Sequence, residues 1–270
     1  MTARPSGVIA PLVTPMGFGP GVSEEGIDGQ IQAVRPWVSG LMPCISSGEG
    51  WRLTQPQWRA TVEATIRMAD GLPVYAGCQA SDWRTMERRA LEAEQMGADA
   101  IVISIPARHG HSSTSTLLEK FGLLRRALGG PVVYYLESFV SGWDVGADLG
   151  VRICEELDAV AVKDSMRNAQ LTSELLERLA GRTNVLQGWE DMLSPDLPVD
   201  GYVGPLALLS ECTATLFSSD PQWGDIARET ERFGVLDRDY IARVKTELHL
   251  RGLIPSAAEF PGVHGVAWDS

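Results

Sequence analysis

Short apolar runs alternate with longer amphipathic segments along most of the chain. Eight such runs stand out: "GVIAPLVTP" (7–15), "GLMPCIS" (40–46), "PVYAG" (73–77), "DAIVISIP" (99–106), "PVVYYLE" (131–137), "AVAVK" (159–163), "NVLQG" (184–188) and "DGYVG" (200–204). Most follow one another at intervals of roughly 25 to 35 residues. Near-continuous hydrophobicity over so few positions suits a strand buried on both faces. The intervening segments carry helical period. "DWRTMERRALEAEQMG" (82–97) has Asp82 placed as an N-cap and Gly97 as a stop. "SSTSTLLEKFGLLRRALGG" (112–130) has hydroxyls before its amphipathic run and Gly-Gly after it.

Eight strands alternating with helices predict an α/β chain closed into a parallel (β/α)8 TIM barrel. The gap between runs seven and eight is short, which predicts a brief or irregular helix there. After the eighth run come "PLALLSECTATLFSS", "QWGDIARETERFGVL" and "RDYIARVKTELHLRG". The first is expected as the helix that completes the barrel, the other two as a small C-terminal helical appendage. The expected organisation is a barrel over 1–220 that carries the active site. Helices and tail over 221–270 pack on it within a single domain.

Composition narrows the function classes. The 270 residues are 44% hydrophobic and 21% charged, the mix of a globular protein. With 35 acidic against 23 basic residues the net charge is −12, which argues against nucleic-acid or anionic-membrane partners. Four scattered cysteines form no CxxC pair, and three sit in or beside apolar runs, so buried thiols are expected rather than disulfides. No stretch approaches the ~18 apolar residues of a membrane span, and the N-terminal segment lacks a signal-peptide core. A cytoplasmic protein is expected.

In a TIM barrel the chemistry lies at the C-terminal ends of the strands, which selects candidates directly. Run two ends in "CISSGEGW", where Ser46, Ser47 and the N–H groups around Gly48 either seat a carboxylate or cap the next helix. Run five offers Tyr134 and Tyr135, of which only one can face the interior. Run six ends in Lys163. Either its strand stops early and the ammonium meets water, or the lysine is buried, loses its proton and becomes an amine nucleophile. Its place beside a phenol and hydroxyls at the catalytic end favours burial.

These segments together resemble the dihydrodipicolinate synthase / N-acetylneuraminate lyase family of (β/α)8 class I aldolases, from about Gly7 to Gly252. "APLVTPM" is similar to its opening strand, "SSGEGWRLT" to its hydroxyl-hydroxyl-Gly-Glu signature, and "PVVYYLES…AVKDS" to the segments carrying its tyrosine and lysine. The resemblance puts the tyrosine on Tyr135 and the lysine on Lys163, 28 positions apart. It implies that Lys163 forms an iminium with pyruvate or another 2-keto acid, that Tyr135 relays protons with Ser46, and that Ser47 with the turn at Gly48 holds the keto acid's carboxylate. It also implies no metal or organic cofactor, and a homo-oligomer, either dimer or tetramer.

The chain departs from the family in several places. "LES" (136–138) replaces the Asn and Pro that follow the tyrosine, and Val140 falls where synthases of the family carry an arginine. "IPARHGH" (105–111) offers Arg108 and His109 in place of a relay tyrosine from a neighbouring subunit. The C-terminal region is also shorter and lacks a close match. A non-standard second substrate, an aldehyde other than that of dihydrodipicolinate synthase, is therefore expected. Arg108 is a candidate to bind it, with Trp189 and Glu190 beyond run seven; Asp191 beside them is either a hydroxyl binder or a helix N-terminal acid. Trp51, Trp83, Trp143 and Trp189 all follow strand ends and point to a bulkier or aromatic partner. Dehydration of a deoxy sugar acid, a hydratase-aldolase reaction, and non-catalytic metabolite binding remain as alternatives. His111, His249 and His264 show no partner pattern and are expected at the surface.

Overall fold

The computed structural model describes residues 4–17, 19, 21–106 and 113–261. Its strands and helices alternate: β1 (Gly7–Ala10), α1 (Glu24–Val34), β2 (Gly40–Leu41), α2 (Gln55–Met68), β3 (Tyr75–Gly77), α3 (Trp83–Gln95), β4 (Ala100–Ile103) and α4 (Thr114–Ala127). They continue with β5 (Val132–Leu136), α5 (Ala147–Glu156), β6 (Ala161–Asp164), α6 (Ala169–Arg178), β7 (Asn184–Gln187), β8 (Gly201–Tyr202), α7 (Trp223–Phe233) and α8 (Tyr240–Leu250). The strands run in the order β2-β1-β8-β7-β6-β5-β4-β3. A parallel bridge between Leu41 and Val74 joins the two ends. The result is the expected (β/α)8 barrel, followed by C-terminal helices.

Each expected strand forms on its apolar run and is shorter than it, and only β6 reaches past its run, by one residue to Asp164. In the first, Pro11 has no N–H to give the ladder, so pairing stops at Ala10. Alternation sorts the side chains into two layers. Ala100, Val102, Val133, Tyr135, Ala161 and Leu186 fill the interior. Ile101, Ile103, Val132, Tyr134, Leu136 and Val162 face the helices. Each such buried valine, leucine or isoleucine stabilises the barrel by about 1.5–3 kcal/mol. The caps also follow the sequence: Asp82 accepts the Thr85 N–H at the start of α3, and Ser113 accepts the Thr116 N–H at the start of α4.

One expected element is different. Residues 205–219 form no α-helix; two 3-10 turns, Pro205–Leu208 and Glu211–Thr215, take its place. Ser210 and Thr215 bond neighbouring backbone groups with their hydroxyls, the competition that disfavours helix interiors. Between β7 and β8 a single 3-10 turn, Glu190–Met192, replaces a helix, as the short gap implied. From α7 and α8, Ile226, Phe233, Ile241, Val244 and Leu248 share one apolar cluster with Ile27, Ile31 and Leu206. Cys44, Cys78 and Cys154 are buried thiols, Cys212 is half-buried, and none is in a disulfide. Among the described residues no helix is long and apolar enough to cross a membrane.

Candidate active site

Tyr135 and Lys163 are register partners on β5 and β6. Both point into the barrel near its C-terminal end, while Tyr134 packs outward against Phe121. The Lys163 ammonium nitrogen lies 4.0 Å from the Tyr135 ring centroid and donates to Ser165 Oγ at 2.7 Å. The Tyr135 hydroxyl is 3.0 Å from Ser46 Oγ and within hydrogen-bonding reach of Ser165. Gln79 Nε2 donates to Ser46 Oγ at 3.3 Å. A single chain of polar groups therefore runs from Lys163 through Ser165, Tyr135 and Ser46 to Gln79.

Lys163 is 3% exposed. Burial lowers its pKa to about 7, against the opposing pull of Glu137, Asp164 and Glu190. Much of it is then free amine at neutral pH, the form that attacks a carbonyl. Burial also raises Glu137 to about 7, although the Val140 and Ser141 N–H groups donate to its carboxylate at 2.6 and 3.1 Å. Tyr135 is pushed well above the ordinary phenol range by burial first and by Glu137 second, so it is a protonated donor.

The turn after β2 is shaped by its backbone. Thr54, not Ser46 or Ser47, caps the following helix α2, which leaves both serines to the interior. A Cβ on Gly48 would lie 2.7 Å from Cys44 N and 2.8 Å from Leu12 O, so only glycine fits. Arg89, buried on α3, donates to the carbonyls of Gly50, Leu53 and Gln79 and holds this turn against the one after β3. Glu49 turns away from the interior to the buried Lys245 and to the Phe260 N–H, fastening the turn to α8 and the chain beyond it.

The remaining candidates are distributed unevenly. Trp189 donates its indole N–H to Ser165 O at 2.9 Å, so it borders the lysine segment. The buried Glu190 directs one carboxylate oxygen to the Tyr202 hydroxyl and the Leu206 N–H (the latter at 3.0 Å), and its Oε2 has no partner among the described residues. Asp191 pairs with Arg167 at 2.6 Å, near the surface. Among the described residues the four tryptophans have separate partners: Trp83 packs on Phe121, Trp51 on Phe139, Trp189 on Tyr240, and Trp143 against the same apolar cluster as Trp83. Arg108, His109, His111 and His264 lie outside the described residues. His249 is exposed.

Sequence reasoning missed Gln79, Ser165, Gly188, Glu137 and Tyr240. Gly188 makes room for the lysine, since a Cβ there would lie 2.0 Å from Ser165 Oγ and 3.0 Å from Lys163 Nζ. The strand-end rule pointed at Gln79, Ser165 and Gly188, each one or two residues beyond the end of a strand. Tyr240 lies on a distant helix, and nothing local marks it.

A comparison with known families gives a match to the dihydrodipicolinate synthetase family over residues 4–217. The chain belongs to that family. Among relatives in the dihydrodipicolinate synthetase family, a 4-hydroxy-tetrahydrodipicolinate synthase of Sorangium cellulosum is 32% identical over 212 residues, 76% of this chain and 69% of its own. A second, from Thermomicrobium roseum, is 24% identical over 94% of this chain and 88% of its own. The solved structure of YagE, a prophage protein of E. coli K12 in complex with pyruvate, superposes with a TM-score of 0.86 at 20% identity, covering 98% of this chain and 95% of that one. CdNal of Clostridium difficile, in complex with mannosamine, gives 0.82 at 16% identity over 92% and 89%. Likenesses at such identity establish the shared barrel, and the family itself is one of aldolase-type lyases.

Proposed function

We propose that this protein is a Schiff-base-forming carbon–carbon lyase that acts on pyruvate or another 2-keto acid through Lys163. The observation that carries the reading is the buried Lys163 amine, joined through Ser165 to the Tyr135 phenol and Ser46 hydroxyl. The amine adds to the keto carbon, the carbonyl oxygen takes up two protons, one of them from the attacking nitrogen, and leaves as water, and a cationic C=N bond remains. In the cleavage direction the C3–C4 electron pair moves toward that nitrogen. The C4 hydroxyl gives up its proton, an aldehyde departs, and the enamine carbon is then protonated. Tyr135, kept protonated, and Ser46 serve these transfers. Ser47 and the turn N–H groups at Gly48 seat the keto acid's carboxylate. The pyruvate complex of the related YagE barrel agrees with this substrate class.

The second substrate differs from that of dihydrodipicolinate synthase in this proposal. Val140, where the resemblance would put an arginine, is 1% exposed and brings no charge. The charges that act on Lys163 are instead those of Glu137, Glu190 and, from the helix-facing side of β6, Asp164, acidic surroundings that disfavour a second carboxylate. An uncharged or hydroxylated aldehyde suits it, with Trp189 and Glu190 beside it and Arg108 as a further contact. A second reading, dehydration of a deoxy sugar acid by the same lysine, is favoured by Glu137. A carboxyl half-protonated near neutral pH can give a proton to a departing hydroxyl. The chain is proposed to act as a cytoplasmic homo-oligomer.

Exchange of the pyruvate methyl protons in D2O, followed by proton NMR, tests the enamine step. The methyl signal should decay in the presence of the protein and stay constant with Lys163→Ala. Equal rates for both would remove the lysine from the chemistry.

A further inference from the structure

Helix α8 meets the turn after β2 at two points. Lys245, fully buried, donates to the Glu49 carboxylate and to Ala258 O, the latter at 2.8 Å. Five residues earlier on the same helix, Tyr240 brings its hydroxyl to that of Ser47. The Tyr240 ring stands edge-on to Trp189, with centroids 6.2 Å apart, and is 8% exposed. Its electrostatic neighbours are Glu190, Glu137, Glu49 and the Tyr135 phenol. Burial and these carboxylates hold it in the neutral form, so it has one proton to donate. The two serines thus each have a phenol: Tyr135 at Ser46 and Tyr240 at Ser47.

We propose that Tyr240 is a substrate-binding residue whose hydroxyl, together with that of Ser47, donates to the carboxylate of the 2-keto acid held on Lys163. This rests on the Schiff-base reading of Lys163. The C-terminal helix then closes the anion seat that the barrel turn begins. The Lys245–Glu49 pair fixes the distance between the two halves of that seat, so the helix contributes to binding as well as to stability. A hydrogen bond to an ionised group contributes about 1.5–3 kcal/mol, tenfold or more in affinity.

The test compares Tyr240→Phe with the parent in borohydride trapping of pyruvate and of methyl pyruvate, which presents the same ketone without the charge. The Phe ring keeps the contact with Trp189, and thermal melting checks that the fold is retained. The expected result is a rise of about tenfold in the pyruvate concentration for half-maximal trapping, with methyl pyruvate unchanged. An equal shift for both ketones, or none for pyruvate, overturns the assignment and leaves Tyr240 as packing. If the parent traps neither ketone, the lysine reading falls and this one with it. If the parent traps both and the variant matches it, only the Tyr240 assignment falls.

Discussion

The Lys163 nitrogen stands 4.0 Å from the centre of the Tyr135 ring, across paired positions of β5 and β6. The ring face stabilises a cation above it, while burial opposes the same charge. An amine in this place is easily deprotonated, and an iminium formed on it gains a π face beneath and carboxylates nearby.

Trapping of a 2-keto acid should follow the free-amine fraction. Below pH 7 the ammonium dominates, so the initial rate should rise with pH through about 7 and flatten above it. An ordinary lysine would keep gaining amine toward pH ~10.4. A rate that climbs steadily beyond pH 9 would contradict a depressed Lys163.

Glu137→Gln removes the charge that contributes most to holding the Lys163 proton. The midpoint of that pH profile should therefore move to lower pH. Stopped-flow or quenched trapping across pH 5 to 9 measures it, on the order of a unit being readily resolved. A midpoint that stays or moves upward shows that Glu137 acts only on the Val140 and Ser141 N–H groups.

Tyr135→Phe keeps the ring over Lys163 and deletes the hydroxyl bonded to Ser46. Loss of a positioned proton donor should slow methyl-proton exchange by about 100-fold or more. The trapped adduct should still form, more slowly. Exchange within twofold of the parent would take Tyr135 out of the proton path.

Gly188→Ala places a methyl group 2.9 Å from Asp164 O and 3.0 Å from Lys163 Nζ. The backbone oxygen cannot give way as a flexible side chain would. A stability loss of about 1–3 kcal/mol is expected, with trapping reduced far more than the fraction folded. Urea unfolding and trapping on the same preparation separate the two effects, and parent-like trapping would show that the lysine needs less room.

Lys245→Met takes the buried ammonium from the Glu49 carboxylate and leaves it only the half-buried Arg52, at 3.5 Å, and the Phe260 N–H, which should cost about 3 kcal/mol in urea unfolding. Adding Glu49→Gln should restore a large part of it. A double variant no better than Lys245→Met would show that helix packing, rather than the ion pair, holds α8 to the turn.

The barrel was legible because its strands are buried on both faces, and "DAIVISIP" and "PVVYYLE" advertise that without context. Lys163 was legible as a charge in an apolar run, and the serines as hydroxyls at a strand end. The choice of Tyr135 over Tyr134 came from the family resemblance, and alternation along β5 agrees with it. Residues 205–219 read as a helix because their apolar spacing is helical; their hydroxyls bond the backbone locally instead. The tryptophans share a position after strand ends, but two of them, Trp83 and Trp143, pack against the apolar cluster between strands and helices. Lys245 with Glu49, and Tyr240 with Ser47, join segments nearly 200 residues apart, 196 for the ion pair. No pattern within either segment encodes such a meeting.

The claim that Lys163 is an iminium-forming nucleophile is tested most directly by intact-protein mass spectrometry after incubation with pyruvate and borohydride, with Lys163→Ala alongside. A single reduced-pyruvate adduct on the parent, mapped to Lys163 and absent from the variant, is the predicted result. An unmodified parent under pyruvate and under longer 2-keto acids, or an adduct that persists in Lys163→Ala, would contradict it.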